Sequence, residues 1–155
     1  MGAYTKYSRF NSAFSTWLRT CTRLVTLTGH TSGSPRIYVK SGAAPVPQPS
    51  CLVTMQHLGG LVPDVDDGYM RTFVLCEAFS KDRVATLQMI GAVEMHAKQN
   101  STTYALAGFE SENIKAYGVT FTGMILSGES TTDDTSGVYV SSCQLEVHWC
   151  DKQTA

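Results

Sequence analysis

The sequence predicts an α+β fold: a mostly antiparallel sheet with two helices on one face and a long C-terminal β-hairpin. Three observations predict it. Tyr139, Cys143, Leu145, Val147 and Trp149 alternate with Ser142, Gln144, Glu146 and His148, the period of a half-buried strand. Phe10, Phe14, Trp17, Leu18, Cys21, Leu24 and Val25 recur instead at helical spacing. Strand patterns also follow one another in runs, without the strand–helix alternation of a parallel sheet.

With 155 residues the chain reads as one domain, 1–155, long enough to bury a core without staples. Residues 1–10 read as an N-terminal arm carrying Tyr4, Lys6, Tyr7 and Arg9. The first helix then runs from Phe10 to Val25, with Asn11 or Ser12 as N-cap and Gly29 as its stop. Its many Thr residues are weak helix formers, so its apolar stripe must supply stability by packing.

Arg36–Lys40 is a short strand, expected at a sheet edge. Pro45, Pro47 and Pro49 make Ser41–Ser50 an extended surface connector, because proline lacks the N–H that a central strand needs. Cys51–Leu58 is the next strand. Gly59–Gly68 is a loop carrying Asp64, Asp66 and Asp67. Met70–Phe79 is apolar on both faces, which places it in mid-sheet.

A second helix is expected over Lys81–Lys98, with Ser80 as cap and Asp82 in its first turn. Val84, Leu87, Gly91 and Met95 form one stripe, and Met89, Ala92 and Val93 widen it. A helix this apolar covers a sheet with one face and can meet another chain with the next. The hairpin closes the chain as Ile114–Leu126 and Gly137–Cys150. In its first strand Tyr117, Val119, Phe121 and Ile125 are expected on one face. The loop 127–136 is polar, acidic and far longer than a favoured hairpin turn.

Twelve Lys and Arg against thirteen Asp and Glu leave a net charge of −1. That balance supplies no basic footprint for nucleic acid and no attraction to a membrane surface. No apolar run is long enough to span a bilayer, and the first ten residues lack a signal core, so a soluble, unsecreted chain is expected. Five scattered cysteines without a CxxC pair indicate a reducing compartment and no disulfide framework.

Catalytic and metal chemistry find little support. His148 and Cys150 share a strand face, but Cys143 falls on the other, and a metal site needs three or four converging ligands. A nucleophile pair of Cys76 or Cys51 with His57 has nothing to bring it together, and Cys76 reads as sheet core. Asp64, Asp66 and Asp67 miss the calcium-loop pattern, with Gly68 at position 5 and Phe79 where no acid replaces the missing one. No cofactor is expected.

The order of elements and several segments are similar to the small tail terminator (tail completion) proteins of tailed bacteriophages. The residues concerned are Arg36-Ile37-Tyr38, the proline-rich connector into Ser50–Leu58, Arg71–Phe79 leading into a helix that opens Ser-Lys-Asp-Arg-Val-Ala, and Tyr139–Trp149. The resemblance covers roughly Phe10 to Trp149. It implies a structural virion protein that forms a homohexameric ring on the tail tube, stops tube elongation and joins the tail to the head connector. The implied partners are further copies of itself, the tail tube protein and the connector or neck protein. DNA would pass through the lumen without specific binding, and no membrane is involved. The implied location is the tail or neck of the virion, assembled in the host cytoplasm. Another head–tail joining or tube subunit, and a small cysteine/histidine-dependent enzyme, are the alternatives.

A ring repeats one heterologous contact, so each subunit needs two different complementary patches. Tyr4, Tyr7, Met89, Val93, Glu129, Asp133 and Asp134 are the expected subunit or partner contacts. Asp64, Asp66 and Asp67 are the expected lumen-facing acidic loop, where negative charge would keep DNA from sticking.

Overall fold

The computed structural model describes residues 3–33, 35–39, 50–55, 62–63, 69–100, 114–129 and 139–151. In chain order these form α1 (Ala3–Arg19), α2 (Thr22–Thr28), β1 (Ile37–Val39), β2 (Ser50–Met55), β3 (Val62–Pro63), β4 (Tyr69–Ser80), α3 (Arg83–Asn100), β5 (Ile114–Glu129) and β6 (Tyr139–Asp151).

The α+β expectation holds. The strands make one sheet in the order β1-β2-β4-β6-β5, with β3 also paired to β4. Among the described residues only β1 and β2 pair in parallel; the other pairings are antiparallel. β1 lies at the edge, and β4 sits in the middle with its inward side chains buried and its outward Phe73, Leu75 and Phe79 half-buried. The long hairpin is β5–β6.

One face of this sheet carries the core. Val74, Cys76 and Ala78 of β4, Cys143, Leu145, Val147 and Trp149 of β6, and Ile114, Ala116 and Val119 of β5 are buried there. Against them pack Phe10, Phe14, Trp17 and Leu18 of α1 and Met89, Ile90 and Val93 of α3. Phe10 stacks on Trp149 with ring centroids 4.7 Å apart. The Trp149 indole N–H donates to the Thr72 hydroxyl at 2.8 Å, so a large buried ring keeps its polar atom satisfied. Thr86 Oγ1 and Ser141 Oγ, both buried, lie 2.8 Å apart and satisfy one another between α3 and β6.

The helix layer differs from expectation in three ways. First, α1 begins at Ala3, so most of the stretch read as an arm is helical and neither Asn11 nor Ser12 is the cap. Second, the first helical pattern is two helices. The Thr20 hydroxyl and amide both turn back to the Trp17 carbonyl, and Cys21 N–H bonds Leu18 at 3.1 Å. These three-residue closures tighten the chain and end α1. The apolar spacing runs through the break because both helices face the same core. Gly29 then stops α2 in the left-handed region at φ 71°, its N–H on the Val25 carbonyl at 2.9 Å.

Third, the cap of α3 is Asp82. Its Oδ1 accepts the Val84 N–H at 3.0 Å, while Ser80 Oγ accepts the Asp82 N–H at 3.1 Å and holds the cap in place.

β5 also departs from strict alternation. Its register with β6 slips between Ala116 and Gly118, leaving Tyr117 as the extra residue of a bulge. Tyr117 is therefore turned out, 38% exposed, whereas Val119 is buried. Phe121 pairs with Leu145 and packs partly buried against the core. The strand continues to Glu129, so the first residues of the expected 127–136 loop are strand and residues 130–138 lie outside the described ones.

Two contacts tie the edge strand to the helices. Arg19 Nη2 donates to the Ile37 carbonyl at 3.1 Å. His30 Nδ1 accepts the Arg36 and Ile37 N–H groups at 2.9 and 3.1 Å.

Candidate functional site

The sheet and helices present two surfaces on which function can be built: the outer face of the sheet and the outer face of α3. On the outer sheet face, Glu146 Oε1 lies 3.1 Å from His148 Nε2 and 3.5 Å from Arg71 Nε. Arg71 also sits over the Phe73 ring at 5.6 Å, and Lys115 over the Tyr117 ring at 5.3 Å. Cys150 Sγ is 3.3 Å from the Tyr117 hydroxyl. His148 and Cys150 share this face and Cys143 points to the core, as the strand period predicts. Among the described residues no group of three metal-ligating side chains converges.

Cys76 is fully buried opposite Cys143 in the β4–β6 register. The hydrogen bond to Cys143 and the burial push its thiol well above the ordinary cysteine range. It stays protonated, and a protonated thiol behind the helix layer is core, not a nucleophile. His57 and the side chain of Cys51 lie outside the described residues.

On α3 the expected and observed faces are exchanged. Met89 and Val93, expected at a subunit contact, have no exposed surface and face the sheet. They cannot meet another chain without opening the core. The stripe of Val84, Leu87, Gly91 and Met95 is the outer one: Val84 is 58%, Leu87 40% and Met95 54% exposed. Gly91 lies between Leu87 and Met95, and a Cβ there would meet nothing within 4 Å. The physical cause is that α3 is apolar almost all round, so spacing alone does not say which stripe the sheet takes. A signal was available: Thr86, Met89, Ile90, Val93 and Ala97 form an equally regular stripe of the same period.

Beside Met95 the break between α1 and α2 opens a cleft of about 490 Å³ against the C-terminal half of α3. Cys21, Thr22, Arg23, Met95, His96 and Gln99 help line it. His96 Nε2 lies 3.1 Å from both the Trp17 carbonyl and the Thr20 hydroxyl. A carbonyl only accepts, so Nε2 carries the proton. Burial lowers the His96 pKa, against a smaller opposing pull from the Trp17 carbonyl. The cleft wall at His96 is thus neutral, and its charge comes from Arg23.

The remaining expected site residues fall elsewhere. Tyr4 and Tyr7 lie on α1 and Glu129 ends β5, but their side chains lie outside the described residues. Asp64, Asp66, Asp67, Asp133 and Asp134 lie wholly outside them. No helix among the described residues is long and apolar enough to cross a membrane.

No family model and no curated protein matches the chain. Among solved structures it is similar to a chain of the virion of a native gene transfer agent (GTA) particle, with a TM-score of 0.57 and 10% sequence identity. The match spans 90% of this chain and 92% of that one. The likeness is one of fold. It takes in nearly the whole of both chains, so the α+β layer described above is shared as a unit.

Proposed function

We propose that this chain is a structural subunit of a phage-like virion, and within it a tail terminator: a homohexameric ring that caps the tail tube, ends its growth and joins the tail to the head connector. The observation that carries this reading is the fold shared along 90% of the chain with a subunit of a virion particle. The chemistry of the described side chains supports a non-enzymatic part. Cys76 is locked in the core, and His30 and His96 are spent on backbone groups. The exposed apolar stripe of α3 supports assembly, because contiguous exposed apolar surface marks a contact site.

Light scattering coupled to size exclusion tests this reading, followed by electron microscopy of the protein mixed with tail tube protein. A ring seated on tube ends is the expected result. A monomer at all concentrations that leaves tube growth unchanged would refute the reading. Long tubes formed by the chain alone would identify a tube subunit of the same virion instead.

A further inference from the structure

The near-zero net charge hides a strong asymmetry. The three helices carry Lys6, Arg9, Arg19, Arg23, Arg83 and Lys98 against the single acid Glu94. Glu94 is itself paired with Lys98 at 2.7 Å. The acids lie elsewhere, and the stretch 127–136 holds Glu129, Asp133 and Asp134 with no Lys or Arg. Among the described residues no carboxylate pairs with Arg23, at the lip of the α2–α3 cleft.

The described residues that flank the acidic stretch and those that line the cleft lie toward opposite ends of α3. Glu129 pairs with Tyr139, and Tyr139 with Ser80 just before the start of α3, where Thr86 bonds Ser141. The cleft lies along Ala92 to Gln99. At about 1.5 Å per residue, Arg83 to Met95 covers about 18 Å of helix. The cleft is thus separated along α3 from the strand ends that flank the acidic stretch in the same chain, a separation that a second copy does not impose.

We propose that the cleft between α2 and α3 receives the acidic 129–134 segment of a second copy of this chain, so that copies join head to tail. The inference rests on the reading of the chain as a self-assembling virion subunit. Arg23 meets the carboxylates, and the Thr22 hydroxyl and the Gln99 amide offer further donors. Met95, continuous with Leu87 and Val84, gives the neighbour an apolar rail to lie on. Two different patches on each copy make a heterologous contact, which closes into a ring or runs on as a filament.

The test is a charge exchange. One variant carries Arg23→Glu; the other carries Glu129→Lys, Asp133→Lys and Asp134→Lys together. Circular dichroism checks that both stay folded, and sedimentation measures self-association. Each variant alone should associate at least about tenfold more weakly than the unaltered chain, as for lost charge complementarity at an interface. Mixed one to one, each cleft meets an opposite charge, and assembly should return. If the unaltered chain assembles and Arg23→Glu assembles equally well, or if the mixture stays dissociated, this contact is refuted while the virion reading stands. An unaltered chain that never associates sinks both.

Discussion

The His96 ring lies against the Trp17 ring with centroids 4.6 Å apart, and its Nε2–H donates to the Trp17 carbonyl at 3.1 Å. One residue of α3 thus holds both the side chain and the backbone at the end of α1. The same carbonyl takes the Thr20 hydroxyl, which ends the helix there. His96→Phe keeps the ring contact and removes the donor. It should cost about 1 kcal/mol in urea unfolding, because the carbonyl retains its bonds from Thr20.

The two structural histidines make stability depend on pH in one direction. Burial lowers the pKa of His30 and of His96 below 6.5, and Arg19 adds to the effect at His30. The unfolded chain then binds protons first as pH falls, so stability is full above about pH 6.5 and declines below it. His30 adds a geometric reason, since a protonated Nδ1 can no longer accept the Arg36 and Ile37 amides. The urea midpoint should fall between about pH 7.5 and about pH 5, and less steeply in a His30→Gln, His96→Gln variant. An equal slope in that variant would assign the effect to other groups.

Asp82→Ala removes the side-chain acceptor at the start of α3. Loss of an N-cap of this kind costs about 1 kcal/mol. Ser80→Ala acts one step removed, through the position of Asp82, and should cost less. Thermal melts of the two variants give the order, and a larger effect at Ser80 would mean that its burial matters more than the cap.

Leu145 and Phe121 face each other across β5 and β6 but are unequally enclosed. Leu145→Ala empties a fully buried position and should cost about 2–5 kcal/mol. Phe121 is only packed against the edge of the core, so Phe121→Ala should cost less, despite the larger side chain. Chemical denaturation of both variants decides the order.

How far the fold was legible follows from how one-sided each pattern is. β6 has apolar residues on one face and polar ones on the other, so its period could be read in only one way. β4 is apolar on both faces, which placed it correctly in mid-sheet. β5 was legible as a strand, but the extra residue at Tyr117 leaves no mark in an alternating run of Thr, Val, Phe and Gly. The break at Thr20 was hidden because α1 and α2 share one apolar direction. α3 was the real ambiguity: with apolar residues all round, the packed and the open stripe had the same period, and Met89 and Val93 of the packed one were taken for a subunit contact. The α2–α3 cleft was not legible at all, since it exists only where a helix break meets the far half of α3.

Removing residues 130–136 separates fold from association in another way. The β5–β6 pairing on either side runs through many registered residues and supports the hairpin without the loop. The melting temperature should therefore stay close to that of the full chain, while sedimentation shows weaker self-association. A variant that unfolds would mean that the stretch packs on its own subunit.

The two faces of α3 supply the sharpest contrast. Leu87 and Met95 are 40% and 54% exposed, so replacing both with Gln removes little buried surface and should change stability by only about 0.5 kcal/mol. Self-association should fall, because the rail beside the cleft becomes polar. Met89→Ala lies less than one turn away from Leu87 yet should cost about 2–5 kcal/mol, since Met89 is fully buried against the sheet. Association of the fraction that remains folded should be unchanged. Measuring unfolding and sedimentation on both variants crosses the two effects. If the Leu87 and Met95 changes lower stability while sparing association, the outer stripe is covered by its own chain and the assembly surface lies on another face.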